Sequence, residues 1–464
     1  MTLLDNNVVN VAIPTIQRSL HLSESGIEWV VSAYILFFAG LLLAGGRLSD
    51  VFGRRRVFFA GLFIFTAASL AAGLAGSSNA LIVARAIQGV GAALLAPTTL
   101  SIITHAYPAP KDQARAIGVW GAVGALSLAV GPVIGGFFAQ HVSWKWIFFL
   151  NVPLGVLTTV VALVAVSAQR ATVRRSLDVA GVATSAIALF ALTFALIQGT
   201  RDGWTSRLIV SSFLVAVISA LGFVAIERRV TDPMVDLRLF ANRAFRSGLA
   251  VLMLWAFGLF GIYFFTALYL QNVLGFAPTK AGVAFVPMAL LMATGATVSD
   301  RVAARFGPNR VLGFAMGLMA VGIASVSLLG PHATYLDLMP GFALIGVGGG
   351  LTMPLTSLVL STMPKDRTGV ASAIFNASRE LAGLLGVTVI GVILTGREHQ
   401  LLRSRATPVH AFLGGYRWGL LLAATLVALG GVSAFARLPR ESHASAATID
   451  VDRDEGTSTP ALVS

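Results

Sequence analysis

Thirteen uninterrupted apolar stretches run through this chain of 464 residues, most of them close to the roughly 20 residues a helix needs to cross the hydrocarbon core of a bilayer. In lipid every backbone N–H and C=O must find its partner inside the spanning structure, which leaves α-helices or a closed barrel. The stretches are continuous rather than short alternating strands, so helices satisfy the constraint. Charge usage agrees: 11% of residues are charged and 56% hydrophobic, against about 25% charged in a soluble domain. The expected fold is an all-α membrane protein, with the bilayer taking the place of a large buried core.

The spans fall at about 27–48, 57–77, 80–104, 115–139, 146–167, 177–198 and 208–226, then at 247–271, 280–299, 311–329, 338–361, 369–395 and 414–436. A first, abnormal span precedes them and makes fourteen. Only 16 or so residues precede Arg18, and they include Asp5, Asn6, Asn7 and Asn10. This span reads as the outer part of a truncated helix, and the true start of the protein is expected upstream. Residues 1–20 lack a basic stretch and a small-residue cleavage site, so no cleavable signal peptide is expected. Lys and Arg set the orientation. With the N-terminus inside, the inner loops and tail hold 22 of the 33, the outer loops 9, and two lie within spans. Both termini are therefore expected in the cytoplasm.

The two ends of the chain repeat each other. Gly89, Gly91 and Pro97 recur 257 residues on as Gly346, Gly348 and Pro354. Pro110-Lys111-Asp112 recurs 254 residues on as Pro364-Lys365-Asp366, and Val57 after Arg56 recurs as Val311 after Arg310. Three matches in order, each at the same place in the span count, argue for duplication. The expected division is a six-helix half over 1–168, an inserted helix pair with its linker over 169–246, a second six-helix half over 247–437, and a disordered cytoplasmic tail over 438–464. Repeat-built helical bundles with a binding site at the midplane are the usual plan of secondary transporters.

Few ionisable groups lie inside the spans, and each is costly there, at about 2.5–3.5 kcal/mol on insertion scales. Asp5 is either an interfacial residue of the truncated span or a coupling acid. Arg85 is either a snorkelling arginine at the outer interface or a buried one bonded to carbonyls and an acid. Arg379 and Glu380 sit mid-span; neighbours on a helix point about 100° apart, so they need not pair with each other. Burial disfavours a charged carboxylate, which would let Glu380 exchange protons near neutral pH. Asp178 reads as a helix cap.

Gly46–Arg56, GRLSDVFGRRR, reads as a short charged loop between two spans. It holds Asp50 with Arg47, Arg54, Arg55 and Arg56, and has a diluted copy at Arg305–Arg310. A connection this short serves the two helices it joins, as a gate. In the fifth span, Gly131-Pro132 and Gly135-Gly136 allow close helix approach and a bend. Trp255, Phe257, Phe260, Tyr263, Phe264, Phe265 and Tyr269 cover every face of the ninth span, so some are expected to face lipid and some a cavity.

The chain has no cysteine, which excludes disulfides and thiolate metal sites. No P-loop is present, and His105, His141, His332, His399, His410 and His443 lie near loops or in the tail without metal-binding spacing. No cofactor, no metal site and no enzymatic activity are expected. The net charge of +13 belongs to loops that set orientation rather than to nucleic acid binding.

These motifs resemble the major facilitator superfamily, in its fourteen-span drug:proton antiporter group. GRLSDVFGRRR is similar to the family's gating loop at Gly46, Asp50, Gly53, Arg54 and Arg55, with Val51 departing where a basic residue is common. LDNNVVNVAIP resembles the group's first-span motif, with Asp5 at its acid. Arg85, followed by Gln88, Gly89 and Pro97, resembles the fourth-span motif tied to proton coupling. GPVIGG resembles the antiporter motif at Gly131, Pro132, Gly135 and Gly136, with Ser127 where glycine is usual. SLDVAG around Asp178 and DPMVDLRLF from Asp232 resemble the joints of the inserted pair, and SRELAGLLG a signature of the thirteenth span. The resemblance implies a proton-coupled exporter of small hydrophobic or cationic drugs in a bacterial plasma membrane. Asp5, Arg85, Arg379 and Glu380 would couple protons, and Gln88, Trp255, Phe260, Tyr263, Phe264 and Asn376 would line the substrate cavity. Its partners would be substrate, protons and lipid, with no nucleic acid and no obligatory protein partner. A dedicated exporter of one metabolite or self-made antibiotic, and a transport-inactive membrane sensor, are the alternatives.

Overall fold

The computed structural model describes residues 1–22, 24–107, 109–166, 178–231, 233, 235, 237–363 and 368–439. The tail from residue 440, Asp232, the Pro364-Lys365-Asp366 half of one repeat match and the Ser176-Leu177 start of the SLDVAG joint lie outside them. Among the described residues the secondary structure is helical throughout. The helices are α1 (Thr2–Leu20), α2 (Glu24–Phe52), α3 (Arg54–Leu74), α4 (Ser78–Ala106), α5 (Pro110–His141) and α6 (Trp146–Ala165). Next come α7 (Val179–Asp202) and α8 (Arg207–Glu227). The last six are α9 (Arg243–Val273), α10 (Thr279–Phe306), α11 (Pro308–Ser327), α12 (Tyr335–Leu360), α13 (Thr368–Arg403) and α14 (Pro408–Arg437). Twelve of these segments are long and apolar enough to cross a membrane. The other two of the expected fourteen, α1 and α5, are long helices packed against each other in the bundle.

Glycine fixes how the helices pack. A Cβ on Gly89 of α4 would overlap the carbonyl oxygen of Tyr34 in α2, and one on Gly91 would overlap the backbone of Phe65 in α3. In the second half, a Cβ on Gly346 of α12 would overlap the carbonyl of Met288 in α10, and one on Gly348 that of Ala315 in α11. The repeated glycines therefore make the same close backbone approaches in the two halves. In lipid there is no hydrophobic drive between helices, so such small-residue contacts carry the association. The pair α7 and α8 stands apart from both sets. It leans on α2 through Phe190, whose ring meets Phe37 edge-on at 5.0 Å. Asp178 caps α7, its carboxylate accepting from the Gly181 N–H at 2.8 Å.

Three expectations change. Gly46–Arg56 is not a loop: α2 remains helical to Phe52 and α3 starts at Arg54, so Gly53 alone separates them. Its φ of 91° and ψ of 135° are repeated at Gly307, which alone separates α10 from α11 with φ 87° and ψ 133°. The connection left between the spans expected at 369–395 and 414–436 is mostly helix, because α13 extends to Arg403 and α14 begins at Pro408. The aromatic residues of α9 do not reach lipid. Trp255, Phe257, Tyr263, Phe265 and Tyr269 are buried, and Phe260 and Phe264 are half-buried, because α9 is enclosed by α12, α13 and α14.

A positive φ of this kind is open to glycine and strained for any other residue, by about 1–3 kcal/mol. No atom lies within 4 Å of where a Cβ would stand on Gly53, so backbone strain alone is tested there. Gly53→Ala is expected to lower stability in detergent by about 1–3 kcal/mol, measured by thermal or denaturant unfolding. An unchanged midpoint would show that the bend does not depend on glycine.

Candidate functional site

Two polar features stand inside the bundle. The first gathers on Asp5 in the first half. Arg85 and Gln88 lie one turn apart on α4, whose N-terminus is capped by Ser77. Arg85 is wholly buried and forms an ion pair with Asp5. Its Nη1 also donates to Gln88 Oε1 at 2.8 Å, and its Nε donates to the carbonyl of Val30 at 3.1 Å. Gln88 Nε2 donates to Asp5 Oδ1 at 2.9 Å and to Ser69 Oγ at 2.7 Å. Asn151 Nδ2 reaches the same Oδ1 at 2.7 Å. The guanidinium lies over the Tyr34 ring, 4.4 Å from its centroid. Asp5 is thus neither interfacial nor free, and Arg85 does not snorkel; both are buried among α1, α2, α3, α4 and α6 because each meets the other's charge there.

The second feature is a cavity of about 150 Å³ between the halves, the volume of an engineered apolar cavity that accepts benzene. Val31, Ile35 and Phe38 of α2 and Val11 of α1 form one wall. Phe260, Tyr263 and Phe264 of α9 with Gly383 and Val387 of α13 form the other, and Pro132 of α5 also lines it. A Cβ on Gly383 would touch the Phe260 ring at 2.9 Å, so the absence of a side chain seats that ring. The polar groups on the lining are Asn7, Tyr263, Gln271 and Glu380. Gln271 stands in a π-helical turn, Tyr269–Val273, that ends α9; such turns recur at functional sites.

Glu380 does pair with its neighbour: Arg379 Nη2 donates to Glu380 Oε1 at 2.8 Å. Long side chains bridge the angle that the backbone imposes between adjacent residues. The Arg379 guanidinium also faces the Trp120 ring of α5, 5.8 Å from its centroid, so one cation joins a carboxylate of the second half to an aromatic of the first. Three expected lining residues lie elsewhere. Gln88 is committed to the Asp5 network, and Trp255 and Asn376 are buried off the cavity. Asn7, Val31, Ile35, Phe38 and Gln271 were not anticipated; a heptad-like Val31, Ile35, Phe38 spacing on α2 is the one signal that could have found some of them.

The motifs at the two ends of the bundle also find their places. A Cβ on Gly131 would strike Asn7 and one on Gly135 the carbonyl of Val8, so α5 lies backbone to backbone on α1, and Gly136 is buried beside them. Pro132 meets Gly282 in the short helix that opens α10. Nearby, Thr279 donates to Gln140 Oε1 at 2.9 Å, closing this end between the halves. At the other end, Gly46 and Asp50 are half-buried on the last turns of α2, with Arg54 and Arg55 opening α3. Arg55 Nη2 donates to the carbonyl of Leu163 in α6 at 3.3 Å.

A helical bundle whose two halves repeat their glycine contacts around a shared apolar cavity is the architecture of a secondary transporter. The chain belongs to the major facilitator superfamily, whose family model matches residues 1–387. It is a multi-pass membrane protein that transports small molecules. It is 33% identical to the puromycin resistance protein pur8 of Streptomyces alboniger, over 96% of this chain and 90% of that one. It is 35% identical to the tetracenomycin C resistance and export protein of Streptomyces glaucescens, over 86% and 74%. It is 33% identical to the multidrug resistance protein Stp of Mycobacterium tuberculosis, over 85% and 73%. In fold it matches the human organic anion transporter MFSD10, with a TM-score of 0.65 at 15% identity over 93% of this chain and 97% of that one.

Removing one partner of a buried ion pair strands the other charge, at a cost of about 3–5 kcal/mol. Arg85→Met is therefore expected to lose about that much stability, while Asp5→Leu combined with Arg85→Met loses clearly less. Unfolding of the single and double variants in detergent measures both. A loss in the double variant equal to the sum of the Asp5→Leu and Arg85→Met losses would mean that the pair is not coupled.

Proposed function

We propose that this chain is a proton-driven antiporter that exports small, largely apolar or cationic organic molecules, antibiotics among them, by alternating access. The observation that carries the reading is Glu380, a carboxylate on the lining of an otherwise mostly apolar cavity between the two halves. Proton and substrate then act on one compartment. Arg379 donates to this carboxylate, so a proton taken up at Glu380 and a substrate entering the cavity act on the same ion pair.

Protonation of Glu380 from outside releases Arg379 from its pair. That arginine also faces Trp120 of the other half, so the change in charge reaches the contact between the halves. The protonated protein favours the inward-facing state and releases the proton there. Substrate entering the apolar cavity favours the outward return. Each ligand needs only to differ in affinity between the two states. Asp5 is less suited to carry the proton, because both its oxygens accept hydrogen bonds and one is paired with Arg85. It holds the first half together while Glu380 exchanges.

The protein is placed in the bacterial inner membrane with both ends cytoplasmic, on the distribution of Lys and Arg. The halves over 1–168 and 247–437 rock against each other, with Asp50 and the arginines beside Gly53 latching the cytoplasmic side. Gly131, Pro132, Gly135 and Gly136 form the seam on the opposite side. The relatives named for drug resistance and export favour efflux over uptake.

In proteoliposomes with an imposed pH gradient, Glu380→Gln is expected to abolish gradient-driven substrate accumulation while leaving gradient-free exchange of labelled substrate in place. Full gradient-driven transport by Glu380→Gln would remove Glu380 from the coupling. Asp50→Asn is expected to slow transport of every substrate by a similar factor in the same assay; a changed substrate ranking would mean that Asp50 helps to choose substrate.

A further inference from the structure

Tyr263 has a hydroxyl that none of the described residues uses. The residue is 9% exposed, its oxygen is buried, and that oxygen has no hydrogen-bond partner among the described residues. The residue lies on the lining of the cavity. A buried hydroxyl without a partner is costly, and membrane-buried polar groups that persist in this condition mark functional positions.

The ring is held firmly. Tyr263 stacks on Phe285 at a centroid distance of 5.1 Å and 22° between planes, and Phe285 stacks on Phe342 at 5.3 Å and 22°. Phe285 stands where the short helix opening α10 meets its main part, and Phe342 lies inside α12. The column of three rings leaves Tyr263 little freedom to turn towards another protein acceptor. Two other tyrosines of this half, Tyr269 and Tyr416, are different. Tyr269 donates to the carbonyl of Gly330 at 2.6 Å, and Tyr416 is bonded to Thr266 at 2.9 Å.

We propose that Tyr263 donates a hydrogen bond to the transported molecule, so that this protein selects substrates with an exposed hydrogen-bond acceptor, such as a carbonyl oxygen, on a flat apolar body. The inference rests on the cavity being the substrate site. Phe38, Phe260 and Phe264 supply the surfaces for the flat body. The donor does not distinguish a cation from a neutral molecule; that choice belongs to Glu380 on the same lining. Tyr263 is a specificity residue, and the proton cycle does not require its hydroxyl.

The test uses the full chain in lipid nanodiscs and two probes of equal shape, fluorenone and fluorene, which differ in one carbonyl. Binding is read by equilibrium dialysis. The wild type is expected to bind fluorenone about ten-fold tighter than fluorene, the range of one neutral hydrogen bond. Tyr263→Phe is expected to bind both equally, with fluorene affinity unchanged. Because the hydroxyl has no partner among the described residues, Tyr263→Phe is also expected to unfold no earlier than the wild type. Tyr269→Phe, which loses the bond to Gly330, is expected to unfold earlier yet keep the preference for fluorenone. A preference that survives Tyr263→Phe, a wild type that binds both probes alike, or a wild type that binds neither would overturn the inference. Loss of gradient-driven transport as a property, with the Tyr263-dependent preference intact, would instead sink proton antiport and leave this inference standing.

Discussion

The ion pair between Asp5 and Arg85 is the constraint around which the first half is built. A lone charge at this depth would be expelled or neutralised. Here α1 brings the acid, α4 the base and an amide, α6 a second amide, α3 a hydroxyl and α2 a backbone carbonyl. Five helices must arrive together for the whole network to form. Replacing such a network with apolar side chains can leave stability unchanged or raise it. Its distinctive contribution is therefore register: it allows one arrangement of the five helices and penalises slippage along any of them.

At the place equivalent to Arg85 the second half carries no charge. Phe342 lies 257 residues after Arg85, the same offset that relates Gly89 to Gly346. Where the first half has a guanidinium over Tyr34, the second has Phe342 stacked on Phe285 and, beyond it, Tyr263. The backbone contacts of the repeat are kept and the centre is exchanged. One half is held by a polar knot that faces inward on itself, the other by stacked rings that end at the cavity. On the cavity lining the second half therefore presents Tyr263 and Glu380, and the first half mainly an apolar wall.

Most of the fold could be read from the residues. Long apolar runs leave one kind of backbone in lipid; the recurring Gly89/Gly91 and Gly346/Gly348 pairs read as a duplication, and the structure adds which helices they bring together. Less could be read where local sequence and three-dimensional packing disagree. GRLSDVFGRRR is polar enough to look like a loop, but helical hydrogen bonding continues to Phe52 because water at the membrane surface tolerates charged side chains on a helix as readily as on a coil. The face of a helix was the other blind spot. Nothing in the α9 sequence says that Trp255 turns into the core of its own half while Phe260 turns towards α13. Gln88 was legible as a polar residue in the membrane, but its partner depended on the depth of Asp5, which the residues of the first span alone leave open.

Gly53 and Gly307 join their helices without slack. With one residue in each connection, a change in the angle between α2 and α3, or between α10 and α11, has two torsions to draw on. A longer linker would absorb displacement and dissipate it. These two joints transmit it, so a tilt of α2 at the cavity, where Val31, Ile35 and Phe38 line the wall, is delivered to Arg54 and Arg55 at the surface as a swing about a pivot. The matched backbone angles of the two joints give both halves the same lever, and the asymmetry of the machine lies in what each lever carries.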